Sequence, residues 1–358
     1  MAQIVLGVGT SHTPLLTIPP ELWAEYAEND RRNVELTFPP EGVVLSFAEA
    51  MRSHVSAETR ARQGDEATFR AQFARCQVGL VGLARALAEA APDITVVISD
   101  DQDEWFYDLN MPSLAVYWGE SVPLIPREVP VDAPAWAHYR GAGYGDVPLE
   151  IPVPSALGRH IIEHLVEANF DVAQVHEVAE RYGGRVARRY PTPEGELKVV
   201  RESPERPVGL PHGFSFVVKR LFDNRPTPLL PVFQNTCYPP NHVRPARAYD
   251  FGAALGAAIA AWPERARVAV VASGGLSHFV VDEELDRTLL GAICARDAAT
   301  LRSLPQHRLY SATSESLNWV AAAGALSTTA LEATLLDYVP VYRTEAGTGG
   351  GWAFLTWS

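Results

Sequence analysis

The sequence predicts an α/β fold, a single large domain over residues 1–358 in which a mostly parallel central sheet is flanked by helices. Short apolar, β-branched runs alternate along the chain with segments of helical spacing, as in sheets that helices cover on both faces. Several of these runs stop at glycine or polar residues, as buried parallel strands do at their carboxyl ends. Active sites of such proteins lie at that edge of the sheet, so we expect long loops over an active-site face there. The composition, 47% apolar and 20% charged, is that of a globular protein.

The first predicted strand is Gln3–Val8, an apolar run that contains Gly7. A helical insertion is predicted at about 20–90, and a polar cluster, Ser99–Asp103, ends the next strand. A loop rich in proline and glycine is predicted at 121–154, and a charged excursion at about 180–211. Further strands are predicted at Ile94–Ile98, Asp171–Val175, Leu229–Gln234, Val268–Ala272, Val339–Tyr342 and Trp352–Trp357, and helices at Leu22–Ala27, Val44–Val55, Phe69–Ala91, Ala156–Glu167, Asp250–Ala261, Glu283–Leu301 and Ser314–Ala323.

Charge, hydropathy and cysteine usage exclude several classes of protein. The net charge of -13 argues against nucleic-acid and anionic-membrane partners, which require basic patches. No apolar run approaches the roughly 20 residues that span a bilayer. The three cysteines form no CxxC pair, which argues against a disulfide framework and favours a reducing, cytoplasmic location.

Three histidines lie beside glycine or proline at strand exits or in loops. They are His12 in GTSHTP, His212 in LPHGF and His278 in SGGLSHF. Imidazoles at such positions face clefts rather than cores, and histidine serves as both a metal ligand and a proton carrier. The sequence therefore predicts an enzyme with a non-haem metal centre around His12.

Two other motifs compete with this interpretation. Gly7 and Gly9 follow the first strand, but the third glycine of a dinucleotide fingerprint would stand where His12 is, which excludes that motif. His160 and His164 form an HxxEH pattern on a predicted helix, one turn apart, as in inverted zinc proteases. A zinc-dependent hydrolase therefore stays open as an alternative, and so does an ordinary amphipathic helix.

Seven segments in order resemble the class III extradiol ring-cleavage dioxygenases, of the protocatechuate 4,5-dioxygenase catalytic subunit type and nearest the 3-O-methylgallate and gallate branch. The resemblance implies a homodimeric enzyme with Fe(II), or alternatively Mn(II). It implies an enzyme that uses O2 to open the ring of a catechol- or gallate-type aromatic acid beside its vicinal hydroxyls. The segments are GTSHTP, VVISDDQDEWFYDLNMPSLAVYWG, PHGF, NTCYPPNHVRPARAYDFGAALGAAI, SGGLSHF, SESLNWVAAAGAL and VYRTEAGTGGGWAF.

The resemblance also implies roles for individual residues. His12 corresponds to the first metal-ligating histidine, and Glu315, four residues before Trp319, corresponds to the ligating carboxylate. His278 in the GGxSH turn corresponds to the catalytic base. His212, followed by glycine, corresponds to a further catalytic histidine that contacts the substrate or the proton path.

The chain departs from the family pattern where a second histidine ligand is expected. An Asn-Asp-His segment should follow the strand, but here the third position is Gln102. We expect Gln102 to ligate the metal through its carbonyl oxygen, with Asp101 or Asp103 as alternative carboxylate ligands in an oxygen-rich site. A homologue that lost the metal and acts as a binding protein is a further alternative. Predicted substrate-binding residues are Asp101 and Arg343, with Lys219 and Arg220 as other candidate cations.

Overall fold

A computed structural model describes residues 1–107, 110–178, 186–192, 195–201 and 209–358, with backbone alone for 186–192 and 195–201. Of the charged excursion predicted at about 180–211, the structure describes the backbone of two paired antiparallel strands and the last residues, and the rest lies outside the described residues. The strands are β1 (Gln3–Thr10), β2 (Leu36–Phe38), β3 (Val43–Leu45), β4 (Ile94–Asp100), β5 (Leu114–Tyr117), β6 (Ser121–Leu124), β7 (Leu149–Pro152), β8 (Ala173–Val175), β9 (Val186–Thr192), β10 (Gly195–Arg201), β11 (Leu229–Gln234), β12 (Arg267–Ser273), β13 (Ala333–Tyr342) and β14 (Gly349–Trp357). The helices are α1 (Trp23–Tyr26), α2 (Glu28–Arg31), α3 (Phe47–Ser53), α4 (Ala57–Ala61), α5 (Glu66–Ala90), α6 (Ala135–Gly143), α7 (Ser155–Glu167), α8 (His212–Leu221), α9 (Pro245–Ala261), α10 (Glu283–Cys294), α11 (Ala298–Arg302) and α12 (Ser316–Leu326).

An eight-stranded sheet with the order β13-β14-β1-β12-β4-β11-β5-β8 forms the centre of a single α/β domain. Its four middle strands, β1, β12, β4 and β11, run parallel, while β14 and β5 flank them in antiparallel pairing. The predicted mostly parallel central sheet is thereby confirmed. Because the middle strands are parallel, their carboxyl ends meet at one edge, which we call the carboxyl edge; the last residues there are Thr10, Ser273, Asp100 and Gln234.

Helices cover both faces of this sheet. On one face, α5 packs against β13, β14 and β1, and α8 packs against β4 and β12. On the other, α12 packs against β1, β12 and β4, and α9 packs against α12 and β1. The close approach of α12 requires glycine in β1, because a Cβ at Gly9 would lie 2.3 Å from the Trp319 ring. This packing fixes the start of α12, and with it Glu315, at the carboxyl edge.

Several elements differ from those predicted. The loop predicted at 121–154 contains the paired strands β6 and β7 and the helix α6. The single helix predicted at 283–301 is two helices, because Arg296 adopts a left-handed φ of 54° that ends the first. His212 does not lie in a loop but is the first residue of α8. Within the described ranges no helix is both long and apolar enough to cross a membrane.

Candidate metal centre

A pocket of about 520 Å³ opens at the carboxyl edge of the sheet. It brings together the three histidines that the sequence singled out, along with Gln102 and Glu315. Its polar wall also contains Asp103, Glu104, Arg127, Arg140, Tyr144 and Arg343, and its apolar wall includes Pro14, Leu15, Tyr26, Phe279 and Trp352. The topology therefore assembles side chains that are more than 300 residues apart in the chain.

The carboxylate of Glu315 is the centre of the polar cluster in this pocket. Its Oε2 atom lies 3.2 Å from Nε2 of His12 and accepts the N–H of Gly275 at 2.5 Å. Its Oε1 atom accepts the amide of Gln102 at 2.6 Å and lies 3.3 Å from Nε2 of His278. With Glu315 only 2% exposed, these neighbours take the place of water around the carboxylate.

The tautomer of His12 follows from its neighbours. The hydroxyl of Ser273 donates its hydrogen to the carbonyl of Gly213 at 2.6 Å. It must therefore accept from Nδ1 of His12, 3.1 Å away, which leaves a lone pair on Nε2 of the neutral ring. Among the described residues none hydrogen-bonds to this buried Nε2, although Glu315 lies beside it. A buried nitrogen of this kind is suited to a metal ion.

His212 lies across the pocket from His12, with the two ring centroids 4.7 Å apart and the rings nearly perpendicular. Its Nδ1 contacts the carboxylate of Glu104, which also accepts the backbone N–H of His212 at 3.1 Å. Arg127 forms an ion pair with the same carboxylate. Burial acts to raise the pKa of Glu104, but Arg127 and His212 outweigh it and lower that pKa to about 2.

Within the described residues, His12, His212 and Glu315 each offer a donor atom, and the three atoms lie within 4.8 Å of one another. Two imidazoles and one carboxylate are a donor set typical of divalent first-row metals. The orphaned Nε2 of His12 supports the same conclusion, so the residues fit a metal ion.

The buried groups of this cluster shift one another's pKa values. Burial favours the neutral imidazoles, but the carboxylate of Glu315 outweighs it and raises the pKa of both His12 and His278. Burial opposes the charge of Glu315 in turn, yet these two imidazoles hold its pKa well below the ordinary value. Burial, followed by repulsion from Glu315, raises the pKa of Asp100. A divalent cation bound here would supply positive charge as the partner of this carboxylate.

Two of the predicted residues in the Asp-Asp-Gln segment face different surroundings. Gln102 lines the pocket and donates its amide hydrogens to Glu315 and, at 3.2 Å, to Asp100. Asp101 instead accepts the backbone N–H groups of Glu104, Trp105 and Phe106 at 2.9–3.2 Å. Burial, followed by repulsion from Glu104, raises the pKa of Asp101 to about 8. Its carboxyl group is thus engaged by the turn after β4, and Asp101 does not line the pocket.

Of the cationic side chains predicted to bind the substrate, one lines the pocket and two do not. Arg343 lines the pocket, where buried Asp30 binds its guanidinium at 2.8 and 3.1 Å. Lys219 pairs with Asp146, and Arg220 donates to a glutamine of α5, so neither contributes to the pocket wall.

Sequence reasoning missed several polar residues of the pocket, among them Glu104, Arg127, Arg140 and Tyr144. Glu104 could have been considered, because it closes the polar cluster after a buried strand, where side chains reach the carboxyl edge. The other three belong to the region taken for a surface loop, and no pattern of spacing marks them.

The HxxEH helix stands apart from this site. His160 and His164 are half-buried on α7, and Nε2 of His160 pairs with the carbonyl of Ala258 in α9 at 3.0 Å. Glu163 between them is exposed. The motif therefore packs one helix onto another, and neither histidine belongs to the metal-ligating group found among the described residues.

The fold and site together define an α/β enzyme with a buried two-histidine, one-carboxylate centre at the carboxyl edge of its sheet. Residues 50–348 match the model of a family described as the catalytic LigB subunit of aromatic ring-opening dioxygenase. The chain belongs to this family, which confirms the family predicted from the seven motifs. Comparison with curated protein sequences gives no significant match. Membership implies a dioxygenase that acts on a small aromatic substrate with O2.

Proposed function

We propose that the protein is an Fe(II)-dependent extradiol dioxygenase that opens the ring of a catechol- or gallate-type aromatic acid beside its vicinal hydroxyls, with Mn(II) as the alternative metal. The observation that carries this proposal is the buried carboxylate of Glu315, which His12 and His278 share at the carboxyl edge of the sheet. His12 and Glu315 would hold the metal. When bound, the metal supplies a template for two adjacent substrate oxygens and for O2.

His278 is suited to the proton transfer that ring opening requires. Its Nδ1 lies 2.8 Å from the carbonyl of Leu276, so in the neutral ring Nδ1 carries the hydrogen and Nε2 has the lone pair. Nε2 faces the pocket beside Glu315 and accepts the phenolic proton there. It later returns that proton to the product, a role in which histidine is the side chain that enzymes use most often.

The pocket also suits an aromatic acid. Trp352, Phe279 and Tyr144 provide flat surfaces for a ring. Arg343, fixed by Asp30, and Arg140 add positive charge for the substrate carboxylate. We propose Arg343 as the anchor of that carboxylate, and a cytoplasmic homodimer as the working form of the enzyme.

A zinc-dependent hydrolase is the second candidate, because two histidines and a carboxylate are also a ligand set of catalytic zinc. Consumption of O2 distinguishes the two candidates, since hydrolysis does not use it.

The test is O2 uptake by anaerobically purified protein loaded with Fe(II), given protocatechuate, gallate and 3-O-methylgallate in turn. We expect uptake with a new ultraviolet-absorbing, ring-opened product. His278→Ala should slow it about 10²–10⁴-fold without loss of the metal, as expected for a general base. His164→Ala serves as the control and should keep full activity. Metal binding without O2 uptake on any vicinal diol would overturn the proposal, and hydrolysis with zinc would favour the second candidate.

A further inference from the structure

We propose that His212, oriented by Glu104, supplies the second imidazole ligand of the metal, and that Gln102 orients Glu315 rather than ligating. The assignment rests on the proposed function, because it concerns the same metal centre. His212 would thereby replace the histidine ligand that is missing from the Asp-Asp-Gln segment.

The position of His212 supports this assignment. It shares with His12 and Glu315 a group of donor atoms that lie within 4.8 Å of one another. Its place is fixed by the close contact of α8 with the sheet, where a Cβ at Gly213 would lie 2.1 Å from Oγ of Ser99. The helix therefore begins against the carboxyl edge and carries its first side chain into the pocket.

Glu104 determines which nitrogen of His212 is available. Its carboxylate contacts Nδ1, so in the neutral ring Nδ1 carries the hydrogen and Nε2 keeps a lone pair. The backbone N–H of His212 donates to the same carboxylate, which fixes the ring relative to its own helix. Arg127 forms an ion pair with the same carboxylate and compensates its charge. A carboxylate that holds the outer nitrogen of an imidazole is a recurring partner of metal-bound histidine.

The hydrogen bonds of Gln102 argue against a ligand role for this residue. Its amide nitrogen donates to two carboxylates, Glu315 at 2.6 Å and Asp100 at 3.2 Å. Ligation through the carbonyl oxygen would require the amide to turn over, which would break both bonds and place an oxygen against two carboxylates. In its present orientation Gln102 binds Oε1 of Glu315. The other oxygen, Oε2, is the one beside Nε2 of His12.

The test counts metal-bound imidazoles in the full-length protein loaded with Co(II) under anaerobic conditions. Each histidine that binds Co(II) through one nitrogen gives one exchangeable, strongly shifted N–H proton signal. We expect two such signals in the wild type, one in His212→Ala, and two in both Gln102→Ala and His278→Ala. His212→Gln provides a second variant of the ligand position, and circular dichroism verifies that each variant is folded.

Calorimetric titration with Co(II) supplies an independent measurement. We expect Glu104→Gln to weaken binding about 10–100-fold, as loss of an outer-shell partner does, and His212→Ala to weaken it further. His164→Ala is the matched control on α7. One imidazole signal in the wild type, or an unchanged count in both His212 variants, would overturn the assignment while leaving the metal centre intact. Failure of the wild type to bind Co(II) would overturn the proposed function as well.

Discussion

Two pairs of histidines show how differently this chain can use the same side chain. His12 and His212 are far apart in sequence and meet at the carboxyl edge of the sheet, whereas His160 and His164 are one helical turn apart on α7. The first pair is buried, and outer groups hold one nitrogen of each ring. The second pair is half-buried, and His160 bonds to a backbone carbonyl of the neighbouring helix.

The difference lies in the carboxylate rather than in the spacing of the imidazoles. Glu315 is buried between His12 and His278, where water cannot screen its charge, so the imidazoles or a metal must balance it. Glu163, the acidic residue of the helical motif, is exposed and needs no such partner. A sequence motif thus fixes which side chains share a helix face, but the topology decides whether a buried charge completes a site.

Removing that carboxylate should have the largest effect. We expect Glu315→Ala to lose O2 uptake and to weaken Co(II) binding by more than about 100-fold, because even outer-shell changes cost 10–100-fold. Glu163→Ala is the matched control and should bind Co(II) as the wild type does. Calorimetric titration and an O2 electrode measure the two effects. Retention of wild-type affinity in Glu315→Ala would refute the role given to this carboxylate.

Asp286 is a second buried carboxylate, and its hydrogen-bond partners in the described part of the chain are a backbone amide and two hydroxyl groups. Asp286 accepts the backbone N–H and the hydroxyl of Ser277 at 2.8 and 2.7 Å and the hydroxyl of Tyr338 at 2.7 Å. These bonds favour the ionised form, but burial outweighs them and raises the pKa of Asp286 to about 7. The hydroxyl donors thus leave the pKa of Asp286 above its ordinary value, whereas the imidazoles hold the pKa of Glu315 below its ordinary value.

The raised pKa of Asp286 leads to a pH-dependent prediction. Its neutral form stabilises the native state below the unfolded pKa near 4, and this contribution is lost as the pH rises through about 7. The loss amounts to roughly 4 kcal/mol over three pH units. We expect Asp286→Asn, which does not titrate, to be more destabilising relative to the wild type at pH 4 than at pH 8. Urea unfolding at several pH values measures this, and a pH-independent difference would contradict the prediction.

Much of this arrangement could be predicted from the sequence. The strand β4 is apolar and largely β-branched up to Ile98, and β11 is apolar up to Phe233, so both were recognisable. Parallel pairing of β1 with β12 then places His12 near His278. The partner of His212 could not be predicted. Glu104 reaches it through the turn after β4, where Asp103 adopts a left-handed φ of 56°, and no sequence period specifies that path.

Replacing the glycine beside the first histidine pair should have an intermediate effect on stability. In Gly213→Ala the new Cβ would lie 2.1 Å from Oγ of Ser99 and 3.0 Å from Cε1 of His12, so α8 must shift. Overpacking of this kind costs about 1–3 kcal/mol. Gly291 of α10 is the control, because among the described residues its added Cβ would meet nothing within 4 Å beyond its own helix backbone. Alanine there should stabilise the helix by about 0.5–1 kcal/mol.

Urea unfolding should therefore separate the two glycine variants in opposite directions. Metal titration adds a second criterion, because a shift of α8 moves His212 and should weaken Co(II) binding in Gly213→Ala but not in Gly291→Ala. Equal stability and equal affinity in both variants would show that the contact between α8 and the sheet does not position the site.

The smallest effect is expected from the second histidine pair. The double variant His160→Ala, His164→Ala should lose the hydrogen bond to Ala258, worth about 0.5–1.5 kcal/mol of unfolding free energy. Its Co(II) affinity and O2 uptake should stay within about twofold of the wild type, because loss of a ligand would change them by a factor of 10 or more. The control is His12→Ala, which removes one imidazole of the first pair and should lower both by a factor of about 10 or more. If instead the double variant lost activity while keeping its stability, the helical motif would be the functional site and the carboxyl edge a packing arrangement.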